Sequence, residues 1–184
     1  MEIEIPKLNK DDIEVRVKRV TEANGKVYAT LVLYKNARVD MNTLDRVFGT
    51  FGWMRRHEVL DGKLFCTVSV WSQVKQMWIH KQDVGTSEND IQSRKTEASD
   101  SFKRACVNLG IGRELYTAPN IITTLNSTEF YAKGQGGKIT CKSTLKFSVG
   151  HIAYDESGRI SELVIVDKKG NIRFKYKKET KNVR

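Results

Sequence analysis

The stretch EASDSFKRACVNLGIGRELY, residues 97–116, decides the fold of this 184-residue chain, because it holds an amphipathic helix and the break that ends it. At 100° per residue, the apolar side chains of the region share one side of the helix. These residues are Ile91, Ala98, Phe102, Ala105, Cys106 and Leu109. Lys103 and Arg104 lie off that side, so we expect the pair to face away from the core. Gly110 is a typical helix-ending residue.

A hairpin and a short helix are predicted near the N-terminus. Residues 13–20 alternate apolar and charged side chains, the period-2 pattern of a half-buried strand. Asn24-Gly25 favours a tight turn into a partner strand at 26–34. Residues 36–49 have helical spacing and end at a glycine, which predicts a short helix.

A three-stranded antiparallel meander is predicted next. Its strands are expected at 53–60, 63–71 and 76–81. Asp61-Gly62 is the turn between the first two. The long helix is expected to begin near Asp90 or Ile91, after capping residues.

The last third of the chain has a different character. Residues 131–143 are rich in Gly and Lys and predict a loop, and residues 151–177 contain three strand-like runs. Strands, a long helix and further strands indicate an α+β fold with an antiparallel sheet. We expect residues 1–130 to form the core, with 131–184 adding a basic loop, C-terminal strands and a basic tail to the same domain.

Composition limits the function classes. The net charge is +10, with a net of +2 over residues 1–130 and +8 over 131–184. Segregated positive charge favours a polyanionic partner, nucleic acid first, with a solvated, solubilising face as the alternative. No apolar run is long enough to span a membrane, and the acidic, mixed N-terminus predicts no secretory or transit signal. The three cysteines are odd in number and widely spaced, which predicts reduced thiols and a cytoplasmic protein.

Catalysis is not indicated by any motif. The histidines have no zinc spacing, and the chain has no phosphate-binding glycine loop before a lysine and no nucleophile elbow. An enzyme hypothesis would have to use Asp83, Asp90 and Glu97 as a Mg²⁺ site of a nuclease. We therefore predict a protein that is not an enzyme and that needs no cofactor or metal.

The basic residues support a binding function better than the acidic residues support catalysis. Lys103-Arg104 is on the outward side of the helix, and Arg55-Arg56 is on a predicted strand. The segment 168–184 has eight cations and one acid, with two aromatic residues between the cations. Cations that follow a phosphate backbone and aromatics that stack on bases are typical of single-strand binding.

The chain resembles a known family in three stretches. ARVDMNTLDRVFGTFGW (37–53), HKQDVG (80–85) and EASDSFKRACVNLGIGRELY (97–116) have the order and spacing of single-strand annealing proteins of the Rad fifty-two/Rad twenty-two family. The match is closest to the short bacteriophage members and covers about residues 26–118.

The resemblance implies a β-β-β-α core, here an antiparallel meander followed by a long helix, that assembles into homo-oligomeric rings. It places the groove cations of the family on Lys103 and Arg104 and its arginine after the strand on Arg38. Lys63, Arg94 and Lys95 are candidates for a second DNA site. The remaining candidates come from the charge pattern: Arg55, Arg56, Lys168, Lys169, Arg173 and Lys175.

These observations predict an ATP-independent single-stranded DNA-binding and annealing protein of homologous recombination and repair, from a phage or prophage and active in the cytoplasm of a bacterial host. Its partners would be single-stranded DNA and further copies of itself, with a host single-strand binding protein or a phage exonuclease as additional candidates and no membrane. The alternatives are a module that binds and protects single strands without annealing them, and a Mg²⁺-dependent nuclease.

Overall fold

Helices separate groups of consecutive strands along the chain. A computed structural model describes residues 3–86, 93–133 and 138–179, without the side chains of residues 93, 94, 133 and 138. The described strands are Glu14–Ala23 (β1), Lys26–Tyr34 (β2), Trp53–Leu60 (β3), Lys63–Ser72 (β4), Met77–Val84 (β5), Ile121–Leu125 (β6), Phe130–Lys133 (β7), Lys138–Cys141 (β8), Phe147–Tyr154 (β9), Ile160–Asp167 (β10) and Ile172–Lys177 (β11). The helices are Ala37–Phe48 (α1) and Ser93–Asn108 (α2), with 3₁₀ turns at Lys10–Asp12 and Arg113–Thr117.

The described strands form antiparallel sheets, which confirms the α+β class with antiparallel pairing. One sheet has the order β11-β10-β9-β1-β2-β6, a second has the order β3-β4-β5, and β7 pairs with β8. No helix in the described ranges is long and apolar enough to cross a bilayer.

The chain divides into two compact units. The first unit comprises Met1–Leu8 and Lys35–Arg113, and the second comprises Asn9–Tyr34 and Glu114–Arg184. The expectation of a core at 1–130 with a basic C-terminal part in the same domain stays a prediction.

The first unit contains α1, the meander β3-β4-β5 and α2. Asn36 caps α1 through its side-chain oxygen, and Gly49 ends the helix, as predicted. Asp61 and Gly62 both have positive φ, which matches the tight-turn geometry that suits antiparallel strands. The beginning predicted for the long helix, Asp90 or Ile91, lies outside the described residues, and α2 is described from residue 93.

The core of the first unit is the interface between α2 and the sheet. Packing α2 on β4 and β5 buries the apolar stripe of the helix together with the inward residues of β4. The buried cluster consists of Leu44, Cys66, Val68, Val70, Phe102, Ala105, Cys106 and Ile111. Phe102, Ala105 and Cys106 of the predicted stripe are thus buried, Leu109 is partly buried, and Ile91 lies outside the described residues.

The Gly-Ile-Gly break after α2 seats one apolar side chain in this core. Gly110 and Gly112 have φ values of +104° and +72°, which residues with a Cβ rarely adopt. Ile111, between them, is fully buried and donates its main-chain N–H to the carbonyl of Cys106. At Gly112 a Cβ would lie 2.5 Å from Cε of Lys35. The second glycine is therefore required by close packing as well as by backbone conformation.

The second unit contains the six-stranded sheet. Its β1–β2 hairpin turns at Asn24-Gly25, as predicted, and β9, β10 and β11 correspond to the three strand-like runs of the C-terminal region. The buried apolar residues of this unit are Ile13, Val27, Ala29, Leu31, Ile121, Leu125, Phe147, Val149, Ile160, Leu163 and Ile165.

Two expectations for the second unit need correction. The sequence pattern did not indicate β6, which pairs with β2 and buries Ile121 and Leu125, whereas Ile122 is exposed. The loop predicted over 131–143 contains most of β7 and all of β8, which pair as a hairpin. The Gly-rich tip at 134–137 lies outside the described residues.

Substituting Gly112 tests the close approach. We expect Gly112→Ala to lower the free energy of unfolding by about 2 to 4 kcal/mol, since it adds left-handed backbone strain and displaces a buried lysine. Gly62→Ala is the matched control, because Gly62 has a similar φ of +74° but no atom within 4 Å of its added Cβ. The control should lose only about 1 to 2 kcal/mol. Equal losses in urea denaturation would contradict the packing argument.

Candidate nucleic-acid interface

Lys103 and Arg104 lie on α2 away from its buried stripe, but both contact acidic groups. Lys103 Nζ lies 3.9 Å from Oδ1 of Asp100, one turn earlier, and its side chain is 24% exposed. Arg104 donates from Nε to Oδ1 of Asp83 on β5 at 3.2 Å, and its side chain is 42% exposed. Exposed pairs of this kind contribute roughly 0 to 1 kcal/mol, so a phosphate can compete for either cation.

A buried ion pair holds the backbone of α2 at Lys103. The ammonium of Lys35 pairs with the carboxylate of Asp40, and both side chains are almost fully buried. The same ammonium donates a hydrogen bond of 3.3 Å to the main-chain oxygen of Lys103. Burial raises the pKa of Asp40 to about 6, although Lys35 and Lys103 act to lower it. The pair therefore links the first turn of α1 to the middle of α2.

Arg38 and Arg55 lie on elements that contact this region. Arg38 is exposed in the first turn of α1, two residues before Asp40. Arg55 on β3 is exposed and places its guanidinium 4.7 Å from the ring centroid of Phe102, the residue before Lys103. This cation–π contact fixes the direction of the arginine. Arg38 and Lys103 thus lie on the two helices joined by the buried pair, and Arg55 lies on a strand that contacts α2.

Phe102, the residue that Arg55 contacts, also makes an aromatic contact with Trp53. The ring of Trp53 stacks on Phe102 at 6.1 Å with an interplanar angle of 23°. Its indole Nε1 donates to Oδ1 of Asp45 on α1 at 2.7 Å. Both the ring and its polar atom are engaged, which favours a structural role for Trp53.

Other candidate cations of the first unit lie elsewhere on its surface. Consecutive strand residues face opposite sides of a sheet, so Arg56 projects from the face opposite to that of Arg55. Lys63 is exposed beside the β3–β4 turn, and Lys95 is exposed near the beginning of α2. The side chain of Arg94 lies outside the described residues.

The carboxylates proposed for a nuclease have other partners. Asp83 binds Arg104 and also accepts a 3.2 Å hydrogen bond from Asn108 Nδ2. Glu97 is buried and accepts a hydrogen bond from the main-chain N–H of Leu64. Asp90 lies outside the described residues. Within the described ranges, no group of three His, Cys, Asp or Glu side chains could hold a metal ion.

Arg173 is held inside the second unit, contrary to the expectation of an exposed cation. Its guanidinium donates to both carboxylate oxygens of Glu129, at 2.7 and 3.0 Å, and to the carbonyl of Thr124 at 2.8 Å. Oδ2 of Asp167 lies 3.6 Å from Nη1 of Arg173, and the side chain of Arg173 is only 11% exposed. Because its donors are occupied in tying β11 to β6, we leave Arg173 out of the interface.

The remaining candidates of the second unit are surface residues. Lys168 and Lys169 are exposed in the turn between β10 and β11, and Lys175 is exposed on β11. The segment 168–184 is therefore partly a strand of the sheet and not wholly a tail, and residues 180–184 lie outside the description.

Lys35 is a site residue that the sequence analysis missed. A lysine five residues before an aspartate is a common spacing, and nothing in it indicates that both side chains will be buried. The one available signal was the position of Lys35 directly after a strand and before a capped helix, where the first helical turn approaches the preceding residue.

Comparison with known proteins relates half of the chain to single-strand binders. No family model and no solved structure matches the chain. The single-stranded DNA-binding protein DdrA of Deinococcus deserti is 33% identical over 92 residues, which cover 50% of this chain and 44% of that protein. The single-stranded DNA-binding protein DdrA of Deinococcus radiodurans is 33% identical over 92 residues, which cover 50% of this chain and 43% of that protein. The chain thus spans less than half the length of these relatives, and membership of the Rad fifty-two/Rad twenty-two family stays a prediction.

The buried pair predicts a pH dependence of stability. Because the pKa of Asp40 is about 6 in the folded state and lower when unfolded, the folded state retains a proton between these values. Its contribution to the free energy of unfolding is therefore full below about pH 4 and falls as pH rises through 6, by about 1 to 3 kcal/mol. Asp40→Asn should lack this component.

The measurement is urea denaturation of both proteins between pH 4 and 7. Asp61→Asn, in an exposed turn, is the control for removal of one carboxylate. The difference in stability between the parent and Asp40→Asn should shrink or reverse with rising pH, while the control follows the parent. Parallel profiles for all three proteins would show that Asp40 does not titrate in this range.

Proposed function

We propose that this protein binds single-stranded DNA and anneals complementary strands without ATP, in homologous recombination or repair of phage or prophage DNA inside a bacterial host. The observation that carries the proposal is the position of Lys103 and Arg104 on α2, away from its buried stripe, with Arg38 on the helix that the Lys35–Asp40 pair joins to α2. Half of this chain is also similar to proteins named as single-stranded DNA-binding proteins. The resemblance of residues 26–118 to annealing proteins supplies the finer part of the proposal.

The proposed mechanism is physical. Lys103 and Arg104 neutralise phosphates and release condensed counterions, which supplies most of the affinity and makes it depend on salt. Arg38 on α1 and Arg55 on β3 would add positive charge from the elements that pack on α2. Contacts to the backbone leave base edges free, so a bound strand can test a second strand for complementarity.

The acidic neighbours tune this surface. Arg104 uses Nε for Asp83, and no hydrogen bond among the described residues engages its Nη atoms. Those donors can bind a phosphate without breaking the ion pair. Lys103 would exchange the long contact to Asp100 for a phosphate. Weak binding by each subunit fits annealing, since a strand held too tightly could not exchange partners.

We also propose that the protein acts as a homo-oligomer, with the β3-β4-β5 meander and α2 as the repeating β-β-β-α element of a ring. The apolar residues Ile121 and Leu125, which follow α2 in the chain, are buried within one chain and do not support an interface between copies. Support comes instead from large exposed apolar side chains at one end of the meander: Phe51, Val74 and Met77. Phe51 is 97% exposed, which is unusual for a side chain of this size.

Light scattering after gel filtration tests the oligomer. The parent should elute at a multiple of 21.0 kDa, and Phe51→Ser with Val74→Ser should shift the distribution towards the monomer. Ile122→Ser, also an exposed apolar residue, is the control and should leave the mass unchanged. A parent protein that is monomeric at micromolar concentration would remove the ring from the proposal.

The interface is tested by Lys103→Ala with Arg104→Ala. Alanine preserves the helix and neither side chain belongs to the buried stripe, so the variant should fold. Loss of two phosphate contacts should reduce the slope of log K against log salt by about 1.4 for a poly-dT oligonucleotide, equally for other sequences. Lys7→Ala with Lys75→Ala removes the same charge from exposed positions of the same unit and should retain the parent slope.

Annealing is measured with two complementary fluorescent oligonucleotides in EDTA. The parent and the control should accelerate pairing, and the Lys103/Arg104 variant should not. Binding without acceleration would favour a module that binds and protects single strands without annealing them. Cleavage that appears only with Mg²⁺ would favour the nuclease, and a variant that binds and anneals like the parent would exclude this surface.

A further inference from the structure

A basic cleft runs along β1 in the second unit. β1 pairs with β9 only through Glu14 and Val15, because β9 begins at Phe147, the partner of Val15. Residues 139–146 then follow β1 without strand pairing to it, and the space between has a volume of about 570 Å³. This size lies within the range of roughly 300 to 1,000 Å³ that is typical of ligand sites.

The charges that line the cleft all have one sign. Its ionisable cations are Arg16, Lys18, Arg19, Lys142 and Lys146, all exposed, and no Asp or Glu lines it. Arg16 is partly neutralised by Glu14 and lies over the ring of Tyr34. The three lysines form no ion pair among the described residues. Walls of one sign raise the local concentration of an oppositely charged ligand.

The backbone and floor of the cleft suit an extended chain of phosphates and sugars. Residues 16–20 of β1 have no strand partner on this side among the described residues, so main-chain polar groups of this edge remain available. Val15, Val17 and Leu145 also line the cleft and offer apolar contact between the cations. A ligand with alternating anionic and less polar parts can satisfy both kinds of surface.

We infer that this cleft binds the sugar-phosphate backbone of single-stranded DNA, as a second contact site separate from the surface around Lys103. The inference rests on the proposed function, but it uses other residues. The lysines of the cleft, at 18, 142 and 146, lie outside the stretch 26–118 that resembles annealing proteins.

The first test is the salt dependence of poly-dT binding by Lys18→Ser, Lys142→Ser and Lys146→Ser combined. Loss of three phosphate contacts should reduce the slope of log K against log salt by about 2, equivalent to roughly a hundredfold weaker binding at 0.1 M salt. The matched control is Lys10→Ser, Lys26→Ser and Arg159→Ser, which removes three exposed cations of the same unit that do not line the cleft. Circular dichroism and melting temperature establish that both variants are folded.

The second test uses the unmodified protein, so it does not depend on the stability of a variant. Oligonucleotides containing 4-thiothymidine are crosslinked by light, and the crosslinked peptides are identified by mass spectrometry. Peptides from residues 15–20 or 142–147 should carry the crosslink, alongside those containing Lys103. The triple variant should lose the former and retain the latter.

The outcomes separate this inference from the proposed function. If the parent binds poly-dT but the cleft variant keeps the slope of its control, and no crosslink reaches the cleft, the inference is overturned and the proposed function stands. If the parent binds no oligonucleotide, both are overturned. A reduced slope together with crosslinks on both sides of the cleft establishes the second site.

Discussion

The buried ion pair between Lys35 and Asp40 is the interaction on which the first unit depends. It joins the residue after β2, the first turn of α1 and the main-chain oxygen of Lys103, and Gly112 must lack a side chain to leave it room. Buried pairs of this kind often add little net stability, because desolvation offsets the attraction, but losing one partner costs about 3 to 5 kcal/mol. What the structure shows is its position: the pair connects the first turn of α1 to the main chain of α2 at Lys103.

The positive charge of the chain is divided between structural and available cations. Lys35 and Arg173 are buried or nearly so and have carboxylate partners, and Lys178 pairs with Asp155. Others, such as Lys18 and Lys142, line a surface without an acid. The net charge of +10 thus does not show where cations are available to DNA, because some are paired within the fold and others are grouped on one surface. Arg173 shows the difference, because it comes from the most basic segment and yet serves the sheet.

Both proposed DNA surfaces are associated with an interruption in regular structure. In the first unit, Lys103 lies where α1 reaches the middle of α2, and the helix ends shortly afterwards at the Gly-Ile-Gly turn that places Ile111 in the core. In the second unit the cleft opens where β1 and β9 stop pairing after two residue pairs. Regular packing leaves few open polar groups, whereas such interruptions expose backbone and leave space for a ligand.

The sequence by itself determined the elements whose signals are local. Asn24-Gly25 and Asp61-Gly62 specify their turns within four residues, and the capping side chain of Asn36 specifies the beginning of α1 in the same way. The apolar stripe of α2 was also readable, because its period is a property of the helix alone. Only the tertiary structure decided which cations are available and that β6 belongs to the sheet. Glu129 and Arg173 are 44 residues apart in the chain, and their contact exists only because the strands between them fold back together. Electrostatic partners and strand neighbours at such separations depend on the whole fold, and no short pattern of residues encodes them.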